Sequence, residues 1–196
     1  MLDMVNKVWS FDSREIMVTP QNPFWTFTLK TYDMVDVEQL SLDLQEKCGA
    51  NVGVLFLCLW LGRRGYGLSA TEMNVVLESI VPWDESVVQG MRAVRHALKR
   101  DWPEHKLGTS LRRELKELEL LAERHLFNEL YDRFTHVPTR EVDPDNAALL
   151  TAANLRRYPV LDVCWDEQSI AIQAWLNAVL PAVDRAAVEE TLSRVV

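Results

Sequence analysis

Apolar residues recur along this chain at intervals of three and four, the spacing that places side chains on one face of an α-helix. Val37, Leu40 and Leu44 belong to the clearest such series. Gly49 follows it, and glycine readily takes the left-handed conformation that ends a helix. The pattern predicts a helix from about Asp36 to Cys48.

A different pattern runs from Val52 to about Arg64, where apolar residues occupy all sides of the predicted helix. A helix of this kind is buried among others. Its most apolar run, which ends at Leu61, is about half of the roughly 20 residues that cross a bilayer. Asn51 can cap its first turn and Gly65 can end it. We predict that this helix is the centre of the fold.

Capping residues and prolines set the limits of the other helices. Asn22 followed by Pro23 predicts one start, and Ser69 with Glu72 forms a capping box that predicts another. The remaining expected boundaries are a stop at Pro82, a cap at Asp84, a cap at Thr109 or Ser110 for the longest helix, a start at Asp143–Pro144, a stop at Pro159, and helices at about 166–180 and 182–195.

The longest predicted helix carries apolar residues at helical spacing over several turns, and its outer face is densely charged. The apolar positions are Leu111, Leu115, Leu118, Ala122, Leu126, Leu130 and Phe134. No alternating strand pattern longer than a few residues occurs, and only seven glycines are available for turns. The sequence therefore predicts an all-α, single-domain bundle of about eight helices around a central apolar helix.

The domain is expected to cover residues 21–196. Residues 21–107 form an aromatic-rich half, and residues 109–196 supply the long helix and the C-terminal helices. Residues 1–20 are expected to be a poorly ordered N-terminal extension. A length of 196 residues with 48% hydrophobic content is ordinary for one compact domain.

The net charge and the cysteine spacing indicate which partners and which cellular compartment suit the protein. The chain has 21 basic and 29 acidic residues, and its net charge of -8 opposes attraction to nucleic acid or anionic lipid. The first twenty residues lack the basic start and apolar centre of a signal peptide. Cys48, Cys58 and Cys164 lack the spacing of a zinc site or redox dithiol, so we expect reduced core cysteines. We therefore expect a cytoplasmic protein without membrane association.

Two segments resemble a known family. They read NPFWTFTLKTYDMVDVEQLSLDLQEKCGANVGVLFLCLWLGRRG and PWDESVVQGMRAVRHALK, and they resemble the uncharacterised bacterial family DUF2390. The likeness covers nearly everything after residue 20. It implies a helical fold and a bacterial cytoplasmic setting, and it brings no established activity. Asn51 and Gly53 stand where that family usually has aspartate and asparagine.

No catalytic signature accompanies these helices. The residues three positions before the four histidines are alanine, tryptophan, alanine and arginine, so the Glu-x-x-His pair of helical metal sites does not occur. HExxH, GxSxG, Walker A and strand-linked GxGxxG motifs do not occur either. We assign no catalytic residue, no cofactor and no metal site, and we rank an enzyme with an unrecognised site third among the functions.

Two groups of residues are candidate contact surfaces. A basic group could contact an anion, RNA or a partner protein, although pairing with acidic residues of the long helix is the favoured interpretation. Its members are Arg92, Arg95, Lys99, Arg100, Arg112 and Arg113. An aromatic group could line an apolar pocket, although packing in the core is the simpler interpretation. Its members are Phe24, Trp25, Phe27, Trp60 and Trp83.

The favoured function is a noncatalytic cytosolic interaction module, an adaptor or regulator that docks a partner protein through a helix face. The charged long helix and the lack of catalytic motifs support it. The alternative is a protein that binds a small ligand, an anion or nucleic acid through the aromatic or the basic group.

Overall fold

The computed structural model describes residues 22–138, 140–184, 186 and 189–190. These residues form eight α-helices and one π-helical segment without a strand, as the sequence predicts. The elements are α1 (Pro23–Tyr32), α2 (Val37–Cys48), α3 (Val52–Gly62), α4 (Ala70–Trp83), the π-helical segment (Asp84–Val88), α5 (Gln89–Asp101), α6 (Lys106–Arg133), α7 (Pro144–Arg156) and α8 (Pro159–Val179). The expected N-terminal extension and most of the helix expected at 182–195 lie outside the described residues.

Helix α3 is the centre of the bundle. Every residue from Gly53 to Gly62 is buried, which confirms the sequence prediction. Helix α7 packs closely against it at Gly62, where an added Cβ would lie 2.3 Å from Thr151 Oγ1. Only glycine allows the two helices to approach this closely.

A buried side chain joins α7 to the loop after α3. The Asn154 amide donates to the carbonyls of Cys58, at 3.2 Å, and Tyr66, at 3.0 Å. Its Oδ1 accepts from the Leu68 N–H at 2.7 Å. A buried amide is stable in an apolar core when its donors and acceptor have partners. Asn154 therefore fixes the path of the chain between α3 and α4.

The predicted caps of α1, α3 and α4 are confirmed. Asn22 Oδ1 accepts from the Trp25 N–H at 2.6 Å, and Asn51 Oδ1 accepts from the Val54 N–H at 3.3 Å. Ser69 and Glu72 form the complete capping box. Each cap satisfies a backbone donor that the first turn of a helix leaves free.

The stop predicted at Pro82 and the cap predicted at Asp84 are wrong. Helix α4 continues through Pro82, and Asp84 opens the π-helical segment that leads into α5. Proline removes one backbone donor and its ring crowds the preceding turn. The wider π turn accommodates this local distortion, so α4 and α5 form one continuous helical run.

Two further boundaries differ from the prediction. His105, rather than Thr109 or Ser110, caps α6, and its Nδ1 accepts from the Gly108 N–H at 3.3 Å. Pro159 is the first residue of α8, so this helix begins well before the expected position 166. Proline is favoured at a first helical position because the N–H there has no intrahelical acceptor.

The expectation of three reduced cysteines is also wrong. Cys48 at the end of α2 and Cys164 on α8 form a disulfide with a Cα–Cα distance of 6.1 Å, while Cys58 is a buried free thiol. A separation of 116 residues gives no local sequence signal for this pair. One of the arguments for a cytoplasmic setting is therefore lost.

We predict that Leu57→Asp prevents folding, because it places a charge without a partner inside the bundle. Leu57 is 0% exposed, whereas Ile170 on α8 is 83% exposed and Ile170→Asp is the matched control. Circular dichroism should show loss of helix for the first variant and a native spectrum for the second. Native helicity and cooperative melting of Leu57→Asp would contradict the central position of α3.

We predict that Cys48→Ser lowers the free energy of unfolding of the oxidised protein by about 2–4 kcal/mol, because the disulfide restricts the unfolded chain. Denaturant unfolding with and without dithiothreitol measures this. Cys164→Ser should give the same loss, and reductant should have no further effect on either variant. A wild-type protein with three titratable thiols and no response to reductant would refute the disulfide.

Candidate functional site

Helices α5 and the first half of α6 form a hairpin that extends from the bundle. Helix α5 contributes no buried residue, and before Ala122 the only buried residues of α6 are Gly108 and Glu119. The hairpin therefore has an exposed surface on both helices.

One side of this hairpin is apolar. Four leucines of α6 are separated by four, seven and three positions, so they share one helical face. These residues, here termed the leucine face, are Leu107, Leu111, Leu118 and Leu121, and they are 37–62% exposed. Exposed apolar side chains grouped on one helix face are a mark of interaction surfaces.

Leu111 and Leu118 belong to the apolar stripe that helical spacing predicts for the long helix. The stripe is buried only in its second half, at Ala122, Leu126, Leu130 and Phe134. The first half extends beyond the helices that cover the second half. The stripe is therefore part core and part surface.

The adjacent side of the hairpin is joined by ion pairs. Arg95 makes two hydrogen bonds to Glu119, at 2.6 and 3.1 Å. Arg92 donates to Glu123 at 2.7 Å. Glu119 is 5% exposed, so the guanidinium groups neutralise a largely buried carboxylate. For Arg92 and Arg95 the structure shows the favoured interpretation, pairing with the long helix.

The other four basic residues do not converge with this pair. Arg100 pairs with the adjacent Asp101 at 2.8 Å. Arg112 donates to the carbonyls at the end of α5, including that of Leu98 at 3.3 Å, and so acts as a C-terminal cap. Lys99 and Arg113 are exposed. Some members of the basic group therefore make contacts within the chain, and others are exposed to solvent, so the group does not form one site.

The aromatic group does not form one pocket. Phe24 and Trp60 lie in the core with a ring separation of 5.5 Å. Phe27 lies beneath the guanidinium of Arg63 at 5.5 Å. Trp83 donates its indole N–H to the Ala122 carbonyl. Trp25 lies on the wall of a separate cavity.

That cavity, of about 360 Å³, lies between α1, α2 and α6. It is within the size range of small-molecule sites. One face of each helix lines it, and its ends are formed by the start of α3, the π-helical segment and α5. The lining residues are Trp25, Thr28, Leu29, Tyr32, Glu38, Leu42, Gln45, Asn51, Val52, Gly53, Asp84, Arg92, Lys116, Leu120, Glu123, Leu126 and Phe127.

Two titratable groups on the cavity wall have shifted pKa values. Burial raises the pKa of the Glu123 carboxyl, while Arg92 acts in the opposite direction. Burial also raises the pKa of the Tyr32 hydroxyl, and the charges of Glu38 and Glu123 add to this effect. Tyr32 therefore remains a neutral hydrogen-bonding group at physiological pH.

A sequence signal for the cavity exists, but it is weak. Trp25, Thr28 and Tyr32 follow the helical spacing of one face of α1. The same spacing is typical of a face packed in a core, so the pattern alone does not separate a cavity wall from a packed face. The cavity also needs residues from three helices that are distant in sequence.

The described residues contain neither a cluster of metal ligands nor a membrane-spanning helix. They include no group of three or more histidine, cysteine, aspartate or glutamate side chains arranged to hold a metal ion. No helix among them has both the length and the apolar composition required to cross a bilayer.

The described residues form a helical bundle with a protruding hairpin and a lateral cavity. The chain belongs to the family described as "Protein of unknown function (DUF2390)", whose match spans residues 23–130. This range contains the hairpin and every residue that lines the cavity. Comparison with curated proteins and with solved structures gives no match.

We predict that Arg95→Ala lowers the free energy of unfolding by about 2 kcal/mol, because it leaves Glu119 buried without its main partner. Arg92 Nε, at 3.9 Å from Glu119, offsets part of the loss. Arg100→Ala is the control, since Arg100 and Asp101 are exposed, and its unfolding midpoint should match wild type. Equal denaturation midpoints for all three proteins would show that the buried pair is not stabilising.

Proposed function

We propose that this protein is a noncatalytic interaction module that docks a partner protein through the leucine face of the α5–α6 hairpin. The observation that carries the proposal is the exposure of four leucines on one side of a helix that the rest of the bundle leaves uncovered. Burying such a face against a partner removes apolar area from water, which is the main favourable term in association.

Charged residues border the leucine face. Arg113 and Glu117 are exposed on α6 beside the leucines, and Glu114 is exposed between Leu111 and Leu118 at the spacing of the same face. An apolar centre with a charged rim is the usual composition of a protein interface, in which the rim sets orientation and specificity. A partner with an apolar groove would accept the hairpin as an amphipathic helix is accepted.

An anion-binding or nucleic-acid-binding function receives less support. Arg92, Arg95 and Arg100 each have a carboxylate partner within the chain. The net charge of -8 also opposes a polyanion. A bacterial cytoplasmic setting is part of the proposal, supported by the family resemblance and opposed by the Cys48–Cys164 disulfide.

We predict that Leu111→Glu combined with Leu118→Glu abolishes partner binding without unfolding the bundle, because both side chains are exposed. The control replaces Val163 and Ile170 of α8, which are 89% and 83% exposed, by Glu. Both variants should keep the wild-type circular dichroism spectrum.

Affinity capture from a bacterial lysate, followed by titration of the purified partner, measures the effect. The wild type and the α8 control should bind one partner with equal affinity, and the α6 variant should bind at least about 100-fold more weakly, a change of roughly 2.7 kcal/mol. Equal binding by the α6 variant, or no stoichiometric partner for the wild type, would refute the proposal.

A further inference from the structure

The cavity between α1, α2 and α6 has an aromatic wall. Trp25, Tyr32 and Phe127 line it. The rings of Trp25 and Phe127 contact each other edge to face, with their centroids 5.0 Å apart. Aromatic rings offer a large apolar surface, and the negative potential of their faces attracts cations. The wall therefore suits a molecule with an apolar body.

The π-helical segment adds a carboxylate without a countercharge to the same cavity. Asp84 opens this segment, is half-buried and lines the cavity. Its side chain accepts from the Gln89 amide at 3.4 Å, and it forms no ion pair with any residue that the structure describes. A partly buried carboxylate is more stable beside a cation than beside a neutral amide. Asp84 is thus suited to hold the charged end of a ligand.

A second carboxylate of the cavity lies in the field of Asp84. Burial raises the pKa of the Glu123 carboxyl, Arg92 lowers it, and the charges of Glu119 and Asp84 raise it further. Arg92 lies 2.7 Å from Glu123 and 3.9 Å from Glu119, and Arg95 lies 2.6 Å from Glu119. Three neighbouring carboxylates therefore share two guanidinium groups, which leaves one negative charge unmatched.

The two other charges of the cavity cancel each other. Glu38 and Lys116 have opposite signs, and both are exposed, so solvent screens each of them. The complete wall has three carboxylates and two cations. Such a wall repels an anion and attracts a ligand with one positive charge.

The aromatic wall and the unmatched charge together define the chemistry of a ligand. The cavity, of about 360 Å³, is within the size range of small-molecule sites. Its apolar walls exclude water from one part of a ligand, and a carboxylate orients the other part through a charge-assisted hydrogen bond. A cation close to aromatic rings gains a further attraction.

We propose that the cavity binds a primary amine with an apolar body, in its ammonium form. The ammonium group donates to the carboxylate of Asp84 in the field of Glu123, and the apolar body lies against Trp25 and Phe127. This site is separate from the leucine face and does not depend on the proposed interaction function.

Three probes with the same phenyl ring and side chains of similar length test the head group: phenethylamine, phenethyl alcohol and hydrocinnamate. Isothermal titration calorimetry should give phenethylamine at least about tenfold tighter binding than either of the others, because only the ammonium group matches the charge of the wall. Equal or tighter binding of the alcohol or the acid, or no binding of any probe, would overturn the proposal.

The NMR signals of the indole N–H groups locate the bound amine. Phenethylamine should shift the signal of Trp25, which lines the cavity. The signal of Trp102 is the control, because this residue is 54% exposed at the end of α5 and is not among the cavity-lining residues. Binding that leaves the Trp25 signal unchanged would place the amine elsewhere and refute the site.

Asp84→Asn removes the unmatched charge and keeps the size of the side chain. We predict that it weakens phenethylamine binding about tenfold, the loss expected for a hydrogen bond between charged groups. Its melting temperature should equal or exceed that of the wild type, because the repulsion between Asp84 and Glu123 is removed. A lower melting temperature would show that Asp84 is a stabilising part of the fold rather than an unmatched charge.

Asp166→Asn is the matched control, since Asp166 is exposed on α8 and is not among the cavity-lining residues. It changes the net charge of the protein by the same amount, so it measures nonspecific attraction of the amine to an acidic protein. Its phenethylamine affinity should remain within about twofold of wild type. Equal affinities for Asp84→Asn and the wild type, or equal losses in the two variants, would overturn the proposed binding geometry.

Discussion

The need to enclose α3 governs the rest of the structure. A helix that is apolar on all sides is stable only when other elements cover every side, and α3 is buried from Gly53 to Gly62. Helix α7 covers one side at the Gly62–Thr151 contact, and α1, α2 and α6 contribute to the others. Helix α6 has 28 residues and α3 has 11, so only part of α6 packs on this centre. Its remaining length extends with α5 as the hairpin, which makes the exposed leucine face a result of how the centre is enclosed.

Local sequence signals predicted much of the fold because their physical causes are local. The caps at Asn22, Asn51 and Ser69 satisfy donors within the same helix turn, so a few residues are enough to identify them. Proline signals are ambiguous, since Pro82 lies within a helical run and Pro159 begins a helix. The Cys48–Cys164 disulfide depends on the meeting of α2 and α8, which no short segment encodes.

The candidate sites were only partly predictable for a related reason. Opposite charges on neighbouring helices indicated the pairing of Arg92 and Arg95 with α6, and both pairs are present. Helical spacing identified Leu111 and Leu118 as apolar positions, but spacing does not show which part of a stripe a neighbour covers. The cavity is formed by partial faces of three helices that are distant in sequence, so no short segment encodes it.

The contrast between the hairpin and the bundle gives the chain an uneven local stability. Helix α5 has no buried side chain, whereas α3 is enclosed along its length. From this contrast we expect the amide hydrogens of α5 to exchange with solvent through small local openings, and those of α3 to exchange only when the whole bundle unfolds. We therefore expect the hairpin to open locally at a lower free energy than the disulfide-linked bundle. A surface on such a unit adjusts its shape to a partner at little cost to the stability of the protein.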